Sequence, residues 1–246
     1  MTRKVSVIGA GNVGASLALC LAEKDFADIV ILDVVDGLPQ GKALDISQSS
    51  PITGFNSQVS GTNDYQDTAD SDVVVITSGM SRKPGMARDE LLEKNAKIVS
   101  EVTHNSTKYS PNCIILVVTN PVDTMTYLSL KASGFKPNRV IGLSGVLDGA
   151  RLSSSIAYKL SVSPGDVSTL VLGEHGKNML IIPRLVTVRG EPIIELLPME
   201  TISRLIDRTI NGGAEIVSLL KTGSAFYAPA AAAARMVEYI IKDKKE

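Results

Sequence analysis

Two histidines and two cysteines are present in 246 residues, so few side chains can exchange protons near neutral pH. His175 lies between two glycines in Leu172-Gly173-Glu174-His175-Gly176, just past an apolar run. Glycine flanks leave an imidazole accessible on a turning backbone, which suits a proton donor and acceptor. Position alone fits a structural loop histidine equally well. His104, in Thr103-His104-Asn105-Ser106-Thr107, reads as a solvated residue of a long helix. Asp148 and Arg151 stand three apart on one helix face. They are either a surface ion pair worth under about 1 kcal/mol or two groups turned separately toward a cleft. Two distant histidines and two isolated cysteines give no metal constellation.

A second chemistry is written in Gly9-Ala10-Gly11-Asn12-Val13-Gly14, which follows one strand-like run and opens a helical one. In this GxGxxG spacing Gly9 permits the tight turn, Gly11 lets backbone approach a pyrophosphate, and Gly14 lets helix pack on strand. The helix start supplies N–H groups and positive dipole to the phosphates. The next apolar run ends in Asp33, placed to accept hydrogen bonds from both hydroxyls of an adenosine ribose. A carboxylate there repels a 2′-phosphate, so the expected cofactor is NAD rather than NADP.

The segment Ser78–Arg88 (SGMSRKPGMAR) carries Arg82, Lys83 and Arg88 and no acid. It contains Gly79, Pro84 and Gly85 and reads as a connection rather than a helix. Positive charge concentrated beside a cofactor site fits a lid over an anionic substrate, and fits a solvated basic loop as well. Asn120-Pro121 ends a further apolar run, where the proline fixes a turn and Asn120 can present both an amide donor and an acceptor.

These residues need a frame, and the hydrophobic pattern supplies one. Lys4–Gly9, Ile29–Asp33, Asp72–Thr77, Cys113–Thr119 and Val140–Leu143 are short, β-branched apolar runs, as in strands buried on both faces of a parallel sheet. Amphipathic stretches at Val13–Lys24, Leu38–Gln48, Asp89–Tyr109 and Val122–Ser133 lie between them. The alternation predicts an α/β fold, a Rossmann-type doubly wound sheet over residues 1–145. From 146 to 246 the rhythm changes to a mixed α+β domain. It comprises a helix at Leu147–Leu160, a strand at Val167–Leu172, a hairpin of Leu185–Val188 and Glu191–Leu196 turning at Gly190, and helices at Glu200–Lys221 and Ala228–Lys245. With one clear hairpin before the last helix, this second domain reads as C-terminally incomplete.

Composition narrows the class of function. Twenty-five Lys+Arg against 26 Asp+Glu give no field for wrapping nucleic acid or coating an anionic membrane. A 44% hydrophobic content excludes disorder, and no apolar run reaches membrane-spanning length. Cys20 and Cys113 sit in apolar sequence without partner spacing and are expected to be buried thiols of a reducing, cytoplasmic compartment. The start Met1-Thr2-Arg3-Lys4 shows no export signal.

Taken together, GAGNVG with Asp33, SRKPGMAR, TNPVD, LDGAR, GEHG and KTGSAFYAP (Lys221–Pro229) resemble the lactate/malate dehydrogenase family, on its malate side, from Val5 to the last helix. The resemblance implies reversible hydride transfer between (S)-malate and oxaloacetate with NAD. It makes His175 the proton donor and acceptor and Asp148 the acid that orients it. Arg151 becomes the two-point grip on the substrate C1 carboxylate, and Arg88 the lid arginine polarising the ketone. Asn120 becomes a hydrogen-bonding partner of substrate. Gly9, Gly11, Asn12, Val13, Gly14, Asp33, Asn95, Thr119 and Asn120 are implied in cofactor binding. A homodimer or homotetramer is implied too.

Arg82 carries the specificity expectation, because lactate enzymes typically hold Gln at its position. A guanidinium there pairs with a second carboxylate, and pyruvate would leave it unpaired in a closed site. Ala225, where lactate enzymes usually have Thr, agrees with a roomier pocket. Two residues depart from the pattern. Lys177 replaces an acid near His175 and by charge alone works against the proton donor, and Glu174 is the commoner lactate-type choice. The alternatives that follow are a lactate or other 2-hydroxy-acid dehydrogenase, and a catalytically weakened NAD-binding homologue.

Overall fold

The structure is a computed structural model and describes residues 3–80 and 88–245. The chain divides into two compact units, Met1–Gly142 with Pro229–Glu246, and Leu143–Ala228. The first runs β1 (Lys4–Ile8), α1 (Asn12–Lys24), β2 (Asp28–Leu32), α2 (Leu38–Thr53), β3 (Val59–Thr62), β4 (Val73–Ile76), α3 (Arg88–Tyr109), β5 (Ile114–Val117), α4 (Val122–Ser133) and β6 (Val140–Gly142). All its strand pairings are parallel, in the order β3-β2-β1-β4-β5-β6. The order reverses between β1 and β4, and the carboxyl ends of strands at such a point are where doubly wound sheets take ligands.

Burial explains why the strands read so clearly. Val5, Val7, Val73, Val74, Val75, Ile76, Ile115, Leu116 and Val117 have no solvent exposure. A side chain buried in this way contributes about 1.5–3 kcal/mol relative to an exposed one. Ser6 interrupts the first run, and its hydroxyl is satisfied inside the core by Ser71 at 2.7 Å. The strand β3 has no apolar signature, since Val-Ser-Gly-Thr forms a half-exposed edge paired only to β2. Its Gly61 lies against the Pro39 and Gln40 backbone, leaving no room for a side chain. The helix α2 runs five residues past the expected Gln48. Pro51 falls in its last turn, where its missing N–H removes one intrahelical hydrogen bond close to the helix end, and Gly54 at φ +84° ends it.

The second unit contains α5 (Gly145–Leu160), β7 (Val167–Ser168), β8 (Val171–Gly173), β9 (Met179–Ile181), β10 (Thr187–Val188), β11 (Glu191–Pro192), α6 (Ile193–Leu196) and α7 (Met199–Leu220). The run Val167–Leu172, expected as one strand, splits between two sheets: β7 pairs β10, while β8 pairs β9 in a separate hairpin. The expected β10–β11 hairpin forms around Arg189 and Gly190, at φ +50° and +88°, the paired positive φ of a tight two-residue turn. Its second strand stops at Pro192 rather than continuing to Leu196, and residues 193–196 coil into α6. Leu152, Ile156, Val167, Val186, Val188, Ile193 and Ile202 form this unit's core.

The closing helix α8 (Tyr227–Ile241) belongs by its contacts mostly to the first unit, whereas the sequence rhythm placed it in the second. Its Glu238 accepts from Lys24 of α1 at 2.7 Å and from Lys242 and Lys244 at 3.0 Å. Cys113 is buried as expected, and burial pushes its thiol up to about 11. Cys20 is only half-buried, a correction, because it lies on the side of α1 turned toward α8 rather than toward the sheet. Among the described residues, no helix is long and apolar enough to cross a membrane.

Candidate active site

The glycine loop joins β1 to α1. Gly9 has φ +113°, and a Cβ there would stand 2.8 Å from Ser78 N and from Thr77 Oγ1. At Gly14 a Cβ would overlap the carbonyl oxygen of Gly9, so both positions need glycine for the close approach of loop, helix and β4. Gly11 differs: nothing among the described residues lies within 4 Å of where its Cβ would be. The helix α1 begins there without a side-chain cap among the described residues. Asn12, Val13 and Gly14 are therefore first-turn residues whose N–H groups have no acceptor within the helix. Asp33 Oδ2 accepts from Ala10 N at 2.6 Å and Oδ1 from Val35 N at 3.0 Å. These bonds fix the carboxylate beside the loop, and each oxygen keeps a lone pair for a further donor. An uncapped helix start, an open glycine and a fixed acceptor fit the pyrophosphate and ribose of NAD.

Behind the loop, Asn95 and Thr119 act as struts. The Asn95 side chain is buried on α3; its Oδ1 accepts from Met80 N at 2.8 Å, and its Nδ2 donates to Asn120 O at 2.9 Å. Thr119 Oγ1 donates to Ser78 O at 2.7 Å. Both side chains spend their polar groups on backbone, tying the end of β4 to the Asn120-Pro121 turn, whose peptide bond is cis. Asn120 itself is exposed. The resemblance implies Asn95 and Thr119 in cofactor binding, and the structure adds that they tie together the backbone behind the loop.

In the second unit, α5 and the β8–β9 hairpin bring three predicted residues together. His175 sits in the hairpin loop between Gly173 and Met179, with Gly173 at φ +82° and Gly176 at φ +100°. Its Nδ1 lies 2.7 Å from Asp148 Oδ2, and Asp148 Oδ1 accepts from Arg151 Nη1 at 3.2 Å. The Asp148 side chain is fully buried, against 20% exposure for His175 and 15% for Arg151. A buried carboxylate is tolerated only when paired, and this one is shared by an imidazole and a guanidinium. Of the two readings of Asp148 and Arg151, the surface ion pair is excluded by this burial. Arg151 Nε is buried with no hydrogen-bond partner among the described residues, which leaves a cationic donor unspent. His104 is exposed, as expected.

Residues 3–142 match the family described as lactate/malate dehydrogenase, NAD binding domain, and residues 145–246 match its alpha/beta C-terminal domain. The chain belongs to the lactate/malate dehydrogenase family. A malate dehydrogenase of Dehalococcoides mccartyi is 59% identical over 237 residues, 96% of this chain and 77% of that protein. The malate dehydrogenase structure from Salinibacter ruber superposes with TM-score 0.94 at 51% identity, covering 99% of this chain and 77% of that one. The lactate dehydrogenase of Cryptosporidium parvum, solved with lactic acid and its nicotinamide cofactor, gives TM-score 0.95 at 41% identity over 100% of this chain and 79% of that one. The fold therefore serves both branches, and side chains must separate them. Arg82 lies outside the described residues, and Arg88 opens α3 without a described side chain. Lys177 is exposed, while Glu174 accepts from Asn178 Nδ2 at 2.6 Å across the hairpin loop.

Proposed function

We propose that this family member interconverts (S)-malate and oxaloacetate with NAD. The observation that carries this reading is the buried Asp148 carboxylate shared between His175 and Arg151. NAD, held at the glycine loop and Asp33 of the first unit, supplies the hydride acceptor or donor. The imidazole supplies the proton: with Nδ1 engaged by Asp148, Nε2 takes the hydroxyl proton of malate or returns it to the ketone oxygen of oxaloacetate. Asp148 fixes the tautomer and balances the imidazolium once it forms. Arg151 grips the C1 carboxylate through its planar fork, and Asn120 adds a hydrogen bond to substrate. Arg88 stabilises charge developing on the ketone oxygen.

The second carboxylate of the dicarboxylate is the task of Arg82. Names of the most similar relatives favour that substrate, and the arginine gives the physical reason. Lactate chemistry is the second reading, favoured by Glu174. The Arg82→Gln variant separates them: kcat/KM for oxaloacetate should fall by about 10²-fold or more, with pyruvate gaining relative to it. An unchanged ratio would remove Arg82 from the specificity argument. A cytoplasmic location is proposed with it, the archaeal and bacterial relatives being in its favour, and a homodimer or homotetramer is the assembly that the family resemblance implies.

A further inference from the structure

The helix α7 carries two adjacent glycines, Gly212 and Gly213, well inside its span of Met199–Leu220. Interior glycines weaken a helix by adding backbone freedom and exposing its polar groups, so a pair of them calls for a compensating role. Both face the same side chain. A Cβ at Gly212 would lie 3.3 Å from Arg151 Cδ and 3.6 Å from Nε, and a Cβ at Gly213 would lie 3.7 Å from Nη2. The edge of the guanidinium made by Nε and Nη2 thus runs along the two glycines. The opposite nitrogen, Nη1, is held by Asp148, itself held by His175. Arg151 cannot retreat from a new methyl group at 212 without disturbing a buried carboxylate and the imidazole beyond it.

We propose that Gly212 and Gly213 are positioning residues for substrate, a bay of absent side chains that lets the Nε–Nη2 edge of Arg151 lie against α7 while Nη1 stays on Asp148, which fixes the orientation of the guanidinium. This rests on the reading of Arg151 as the carboxylate grip. The burial of Nε, which has no hydrogen-bond partner among the described residues, is the independent sign that this edge is packed close against the helix. Gly212 is the tighter of the two contacts and carries the larger share.

The test compares Gly212→Ala, Gly213→Ala and Arg151→Gln by steady-state kinetics with oxaloacetate and NADH, alongside thermal unfolding. In Gly212→Ala the KM for oxaloacetate should rise about tenfold, since small misplacements of a substrate-gripping group are costly. Gly213→Ala should leave it within about twofold, because a Cβ there meets Nη2 at 3.7 Å, an ordinary van der Waals distance. The KM for NADH should stay within about twofold, and the melting temperature should be unchanged or higher, because alanine is the better helix former. An unchanged oxaloacetate KM in Gly212→Ala overturns the proposal, and so does a rise accompanied by a lower melting temperature, which marks the glycines as helix-packing spacers. If Gly212→Ala fails to fold, the proposal is overturned as well, because position 212 is then a helix-packing spacer. Arg151→Gln isolates the underlying reading: normal oxaloacetate KM in that variant refutes the role of Arg151 itself. A defect there beside a normal Gly212→Ala refutes the glycine role alone.

Discussion

At the level of single residues, Asp148 has the most demanding position in the chain. It is a fully buried carboxylate with two partners, one able to change protonation and one permanently cationic. Such a group holds an imidazole in one tautomer and stabilises its charged form. Asp148→Asn keeps the shape and removes the charge, so kcat with oxaloacetate should drop by about 10²–10⁴-fold. NADH binding, followed by fluorescence titration, should be unchanged. A variant retaining most of its turnover would show that the imidazole needs no carboxylate here. Asn95 illustrates a different dependence. Asn95→Ala leaves the Met80 N–H and the Asn120 carbonyl without their bonds, a loss of about 1–3 kcal/mol per stranded group. Denaturant unfolding should report that loss and steady-state kinetics a weaker hold on substrate through Asn120. An unaltered midpoint would mean these groups find other partners. Spacing left Asp148, Arg151 and His175 with two readings each, and the family resemblance implied their roles. The same resemblance implies Asn95 in cofactor binding, while its buried bonds to backbone emerge only from the fold.

Between elements, close approach and ion pairing set the geometry. The start of α1 can meet the β1 turn only because residue 14 has no side chain. Gly14→Ala should destabilise the fold by about 1–3 kcal/mol through overpacking and weaken NADH binding, both readable by chemical denaturation with and without cofactor. Unchanged stability together with unchanged NADH affinity would show that the loop yields at no cost. A second joint, between α1 and α8, is electrostatic. Hydrogen bonds from Lys24, Lys242 and Lys244 hold the Glu238 carboxyl down to about 2. Because the folded value is depressed, the stabilisation is present above the ordinary value of 4.5 and is lost as pH falls toward 2. Glu238→Gln should therefore cost about 1 kcal/mol at pH 7, a few degrees in melting temperature, and the gap from the parent chain should narrow as pH falls below 4.5. A gap independent of pH would assign the effect to packing. Elements with a buried apolar face were plain in the sequence. The edge strand β3 and the β8–β9 hairpin were not, since half-exposed short strands carry little hydrophobic periodicity. The glycine pair in α7 lay inside a segment that read simply as a helix, and its partner Arg151, sixty-odd residues earlier, emerges only from the fold.

For the whole molecule, a doubly wound sheet offers a dinucleotide its glycine loop, and a mixed α+β unit gathers an imidazole and a guanidinium around one buried acid. That division was legible because parallel strands buried on both faces write continuous apolar runs, and because GxGxxG and Asp33 fall at fixed places on such a sheet. The chain spans 77% of the Dehalococcoides mccartyi relative and carries Asp148, Arg151, His175, Arg82, Arg88 and Asn120 within that span. Turnover by this chain is therefore the central expectation. The most direct measurement is kcat/KM for NADH oxidation on this chain with oxaloacetate and with pyruvate. Oxaloacetate should be preferred by about 10³-fold or more, as a paired rather than stranded guanidinium requires. Pyruvate turnover equal to or better than that of oxaloacetate, or NADH binding without turnover of either acid, would contradict it.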